Sequence, residues 1–97
     1  MKKSAVLRRL NTLKGPLGSV GVMQVGLFGS TIRDENTSDS DIDILLDFEQ
    51  GKETYINFLN ACQILEESFK RDKVDVVTRK GLSPYIGQTI LSEVVYV

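Results

Sequence analysis

The sequence predicts an α/β layered fold with at least one parallel crossover. Three observations carry that reading. Apolar runs of strand length, Val20–Phe28, Asp41–Phe48 and Lys73–Thr78, are interleaved with segments of helical period. The longest helical segment, residues 54–70, joins two of these strands, as a parallel crossover requires. The composition is that of a globular protein: 97 residues, 41% hydrophobic and 26% charged. It excludes a disordered or collagenous chain, and the length fits one domain over residues 1–97.

Residues 4–13 read as a helix, with Val6, Leu7, Leu10 and Leu13 at helical spacing and Ser4 as its cap. Gly15-Pro16 is expected to end it, because proline disfavours a helical residue before it. VGVMQVGLF follows as a buried strand, Gly29-Ser30 as a turn, residues 31–35 as a short helix and Asn36–Ser40 as a polar loop. In DIDILLDF, side chains alternate across the strand, so Ile42, Ile44, Leu46 and Phe48 line one face. Asp41, Asp43, Leu45 and Asp47 line the other. On the helix over 54–70, Tyr55, Phe58, Leu59, Cys62, Leu65 and Phe69 form the expected apolar stripe. Ser83-Pro84 opens a last helix as cap and first turn, and Val94–Val97 is extended against the sheet.

Composition also bounds the chemistry. The absence of histidine excludes Ser-His-Asp triads and histidine-containing zinc sites. The single cysteine, Cys62, excludes an internal disulfide and reads as a small core residue; a reducing, cytoplasmic compartment is expected. A net charge of −1 argues against a generic nucleic-acid binder, and no apolar run approaches a membrane span or a signal peptide.

The acidic residues are unevenly spread. Between Arg33 and Glu49 lie Asp34, Glu35, Asp39, Asp41, Asp43, Asp47 and Glu49, opposed by Arg33 alone. A solvated loop accommodates such charge, but Asp41 and Asp43 head an otherwise apolar strand, where unpartnered carboxylates are costly. A divalent cation resolves this, since hard oxygen ligands suit Mg²⁺. Asp75 is a lone acid in VDVVT. If that strand adjoins Asp41 and Asp43, three carboxylates converge, and such a set holds two metal ions about 4 Å apart around an in-line displacement at phosphorus. Gly29-Ser30, at the end of a strand, offers backbone N–H groups and a hydroxyl to phosphate.

Taken singly, each feature has an ordinary explanation. Gly-Ser is common in turns, alternating acids are common on surface strands, Asp75 has Lys73 and Arg79 as possible ion-pair partners, and Arg33 reads as a surface charge. Their order and spacing carry the argument. A calcium loop fails in both registers: from Asp34, positions six and twelve are Asp39 and Leu45; from Asp39, they are Ile44 and Gln50. No Walker A loop occurs.

Gly29-Ser30, ten residues, then Asp41-Ile42-Asp43 resembles the GSx10DxD signature of the minimal nucleotidyltransferases of the DNA polymerase β-like superfamily. LFGSTIRDENTSDSDIDILLDF, VDVVT and ILSEVVYV extend the resemblance from Val22 to Val97. One departure is Asp34, where the family commonly has glycine. The resemblance implies a nucleotidyltransferase fold, a small mixed β-sheet flanked by helices, with ATP as substrate and two Mg²⁺ ions. It implies that Gly29, Ser30 and Arg33 bind the nucleotide phosphates, that Asp41 and Asp43 ligate both ions, and that Asp75 ligates the ion nearer the nucleophile. It further implies a type VII antitoxin beside a HEPN-domain toxin, transferring AMP to a toxin tyrosine, with the two chains as a hetero-oligomer and no direct role for nucleic acid or membrane. A binding-only antitoxin and a transferase acting on a small molecule are the alternatives; a chain this short leaves little room for a second substrate's own domain.

Overall fold

The alternation in DIDILLDF organises the architecture. The computed structural model describes every residue, Met1–Val97, and β2 (Ile42–Phe48) runs through the middle of its sheet. The other elements are α1 (Lys3–Thr12), α2 (Lys14–Ser19), β1 (Val22–Phe28), α3 (Tyr55–Ser68), β3 (Val74–Thr78), α4 (Pro84–Glu93) and β4 (Val95–Tyr96). The strand order is β3-β2-β1-β4. β2 pairs parallel with β3, through the α3 crossover; the β1–β2 and β1–β4 pairs are antiparallel.

Each face of the sheet buries its own apolar layer. Ile42, Ile44, Leu46 and Phe48 join Val25 and Leu27 of β1 against Val6 and Leu10 of α1, Leu17 of α2 and Ala61 and Leu65 of α3. On the opposite face Leu45 and Phe28 meet Ile90 of α4, with Val77, Leu82, Val94 and Tyr96 around them. Each fully buried Leu or Ile in these layers contributes about 1.5–3 kcal/mol relative to exposure. The second layer is smaller and stops short of one end of the sheet, which leaves the polar residues of that face open there.

Several expectations change. Gly15-Pro16 does not end the helical region: α1 stops at Thr12, and α2 carries on from Lys14 through both residues. Pro16 lies in the first turn of α2, where its missing N–H has no partner to lose, and fully buried Leu17 anchors the turn. The stripe on α3 holds in part: Leu65 and, at the C-cap, Phe69 are buried as expected, Phe58 packs against the core and Cys62 is half-buried. Ala61 and Leu65 are its buried residues, whereas Tyr55 and Leu59 are exposed, because the inward face must meet Ile44 and Leu46 rather than collect every large apolar residue. Residues 31–35 form a single closed turn instead of a short helix, held by Arg33 N–H to Gly29 O at 3.2 Å and Glu35 N–H to Ser30 O at 2.9 Å.

Ser4, expected as the cap of the first helix, lies inside α1, whose N-cap is Lys2 with no side-chain cap bond, whereas the cap expected of Ser83 does form. Thr54 caps α3 by accepting the Asn57 N–H, and Ser83 caps α4 by accepting the Ile86 N–H, with Pro84 in its first turn. β1 begins at Val22, two residues later than the apolar run suggests, with a bulge beside exposed Met23. Gly26 lets β4 lie close: a Cβ there would stand 2.5 Å from Val94 Cγ2.

Candidate active site

The sheet register assembles the acids. Asp43 pairs across the parallel ladder with Asp75 and across the antiparallel ladder with Phe28, the residue just before Gly29. Asp41, two residues before Asp43, belongs to the same strand face. The conditional expectation about Asp75 is therefore met: its strand does adjoin that of Asp41 and Asp43. None of the chain's ion pairs involves Asp41, Asp43 or Asp75. Arg79 lies 3.7 Å from Asp47 instead, at the far end of β2.

The proximity registers in the electrostatics. Burial, then the negative charges of Asp75 and Asp41, push the Asp43 carboxyl from 3.8 up to about 6. A divalent cation would relieve that repulsion, and an all-carboxylate donor set suits a hard ion such as Mg²⁺. The three side chains are not drawn into a closed three-ligand cage. A surface hollow of about 630 Å³ between the N-terminus and residues 34–38 includes none of them. Asp75 is exposed, and Asp41 and Asp43 are half-buried.

Gly29 meets the acids directly. Its φ is +78°, and a Cβ on it would fall 2.1 Å from Asp43 Oδ2. The Gly29 N–H donates to Glu93 Oε2 at 2.6 Å, and the Arg33 guanidinium donates to both Glu93 oxygens, at 2.9 and 3.0 Å. Arg33 Nε also donates to Glu35 at 2.6 Å. These bonds, Glu35 first and then Glu93, hold the Arg33 pKa above its ordinary value. Gly29 and Arg33 are therefore brought together on one carboxylate, and half-buried Ser30 adjoins them in the same turn. Glu93 carries no local motif that singles it out; α4 and β4 deliver it through space.

Asp34 has a conformational explanation. Its φ is +58°, the left-handed region that glycine occupies freely and that Asp tolerates better than most residues. Its exposed carboxylate lies 3.4 Å from Lys3 Nζ. Cys62 is half-buried, and burial followed by Glu66 pushes its thiol pKa up, which disfavours nucleophilic reactivity.

The family pattern of the nucleotidyltransferase domain matches residues 5–97. The chain belongs to that family. Among its relatives, the protein adenylyltransferase MntA of Thermococcus cleftensis is 42% identical over 77 residues, covering 79% of this chain and 76% of the relative. A solved structure assigned as a minimal nucleotidyltransferase superposes with a TM-score of 0.83 at 29% identity, over 98% of this chain and 95% of its own. A chain of a toxin–antitoxin crystallised with AMP-PNP superposes at a TM-score of 0.67 and 19% identity, over 99% of this chain and 72% of its own, a likeness of fold alone. The protein is thus a nucleotidyltransferase of the minimal branch, and the mixed sheet with flanking helices is that branch's fold. No helix of this nucleotidyltransferase is long and apolar enough to cross a membrane.

Proposed function

We propose that this nucleotidyltransferase transfers AMP from ATP to a hydroxyl of a partner protein, the tyrosine of a HEPN-domain toxin, and so acts as that toxin's antitoxin. The observation that carries the reading is the pairing of Asp43 with Asp75 beside Gly29, which sets the acids next to the Gly29-Ser30 turn. The naming of a 42%-identical relative as a protein adenylyltransferase supports a protein acceptor. The exposure of Asp75 supports it too, since that carboxylate is within reach of a docked chain.

In this reading Gly29 N–H, Ser30 and Arg33 hold the β- and γ-phosphates, and Asp41 and Asp43 are ligands for two Mg²⁺ ions. Those ions, when bound, supply charge neutralisation for the triphosphate and for departing pyrophosphate. Asp75, exposed on β3, is the third ligand and draws the proton from the incoming hydroxyl. An AMP ester at the toxin's nuclease site adds charge and bulk where RNA phosphates must lie.

The test is to mix the protein, ATP and Mg²⁺ with the product of the adjacent gene and to weigh that product by intact mass spectrometry. A gain of one or more AMP units, absent with Asp43→Asn, is the expected result. Neutralisation of the toxin by Asp43→Asn, with no mass gain in the parent mixture, would leave a binding-only antitoxin.

A further inference from the structure

The Gly29 N–H is the donor that the proposed function assigns to the triphosphate, yet it is already engaged. Glu93 Oε2 accepts it at 2.6 Å. The same carboxylate takes two bonds from Arg33, at 2.9 and 3.0 Å, so one anionic group holds both proposed phosphate ligands together. A carboxylate on a backbone amide and a guanidinium copies the way those groups grip a phosphate. Its placement follows from the fold. α4 ends at Glu93, and β4 begins two residues later and pairs with Gly26 and Leu27. That pairing fixes the end of α4 beside Gly29. The Glu93 side chain is only 20% exposed, against 63% for Glu35, the other carboxylate on Arg33.

We infer that Glu93 is a built-in occupant of the phosphate subsite, which the nucleotide's β- and γ-phosphates must displace before they bind. The inference rests on the proposed triphosphate reading of Gly29 and Arg33. The protein therefore has a closed form, with Glu93 seated, and an open form able to bind. The apparent affinity for polyphosphate is lowered by the fraction of open form. A side-chain rotation of Glu93 is enough to pass between them, and Arg33 then exchanges one anion for another.

The test measures binding rather than transfer. Titration calorimetry with ATP and, separately, with inorganic tripolyphosphate is run in Mg²⁺ on the parent, Glu93→Gln, Glu93→Ala and Glu35→Gln proteins. Both Glu93 variants are expected to bind both ligands roughly tenfold or more tightly than the parent, as the closed form is depopulated. Glu35→Gln removes the same charge from the same guanidinium but leaves the Gly29 contact in place, so its gain is expected to be no more than about two- to threefold. Equal or weaker binding by Glu93→Ala, in a parent that binds ATP, overturns the inference and leaves the triphosphate reading intact. So does a gain for Glu35→Gln that equals that of Glu93→Gln, because general charge then accounts for it. Failure of every protein, parent included, to bind either ligand overturns the triphosphate reading and this inference with it. Circular dichroism and the urea midpoint of each variant confirm that the titrated protein is folded.

Discussion

Gly29→Ala is the substitution whose cost can be worked most directly from the structure. At φ +78° a Cβ is strained regardless of space, which costs about 1–2 kcal/mol. The space is also taken, since that Cβ would lie 2.1 Å from Asp43 Oδ2, 2.9 Å from its Cγ and 3.1 Å from its Cβ. The carboxylate has to turn out of its rotamer, adding about 0.5–1.5 kcal/mol. The sum, roughly 1.5–3.5 kcal/mol, corresponds to a fall in Tm of about 6–28 °C for a domain of this size. A double-mutant cycle with Asp43→Ala separates the two parts. Backbone strain persists in the double mutant, whereas the carboxylate clash is gone, so a coupling of about 1 kcal/mol is expected from urea unfolding of the four proteins. Additivity within about 0.3–0.5 kcal/mol would refute the claim that Gly29 is required by its approach to Asp43.

Three further outcomes are expected. The folded state raises the Asp43 pKa from 3.8 to about 6, so its contribution to stability is present below pH 3.8 and is lost as pH rises through 6. Discounted for its partial exposure, the loss is about 1–2 kcal/mol. Asp43→Asn should remove this pH dependence from the metal-free protein's urea midpoints, and parallel curves for variant and parent would count against it. Asp75→Asn should keep ATP affinity within a few-fold while transfer falls on the order of 10²-fold. Calorimetry beside single-turnover transfer checks this, and transfer at the parent's rate removes Asp75 from the site. Gly26→Ala places a Cβ 2.5 Å from Val94 Cγ2 and 3.1 Å from Tyr96 Cδ1, an overpacking worth about 1–3 kcal/mol. Faster amide exchange at Val97, whose N–H bonds to Val25 O at 3.1 Å, reports the loosening of β4; unchanged protection would show that the strand adapts.

What the sequence revealed follows the range of the forces involved. β2 is legible because alternation is a property of neighbouring residues: Ile42, Ile44, Leu46 and Phe48 share one buried layer and Leu45 lies in the other, as their positions imply. The caps Thr54 and Ser83 act within three residues and were equally open to reading, although only Ser83 was anticipated. The α3 stripe is legible in part, for Phe58, Leu65 and Phe69 but not for Tyr55 and Leu59, because large apolar residues outnumber the buried positions and contact with the sheet decides which are used. Asp75 was legible only as a condition, since nothing local states which strand lies beside which. Glu93 lies 64 residues from Gly29, and its hydrogen bond exists only after α4 and β4 are in place. Asp34 departed from the expected glycine as a matter of sequence, and its positive φ supplied the reason.

β3 is an outer strand of the sheet, and that position gives Asp75 a second consequence. Outer strands present unpaired backbone groups on which another chain can add, and a charge set into such a strand discourages this. Asp75 is the only charged residue within VDVVT, and it is exposed. Replacing it with valine would leave VVVVT, an uncharged β-branched segment on a free edge, of the kind that nucleates intermolecular sheets. The carboxylate proposed as metal ligand and proton acceptor therefore also serves, with Lys73 and Arg79 on either side of the strand, to discourage edge-to-edge pairing, and an apolar substitution there removes the charge inside the strand.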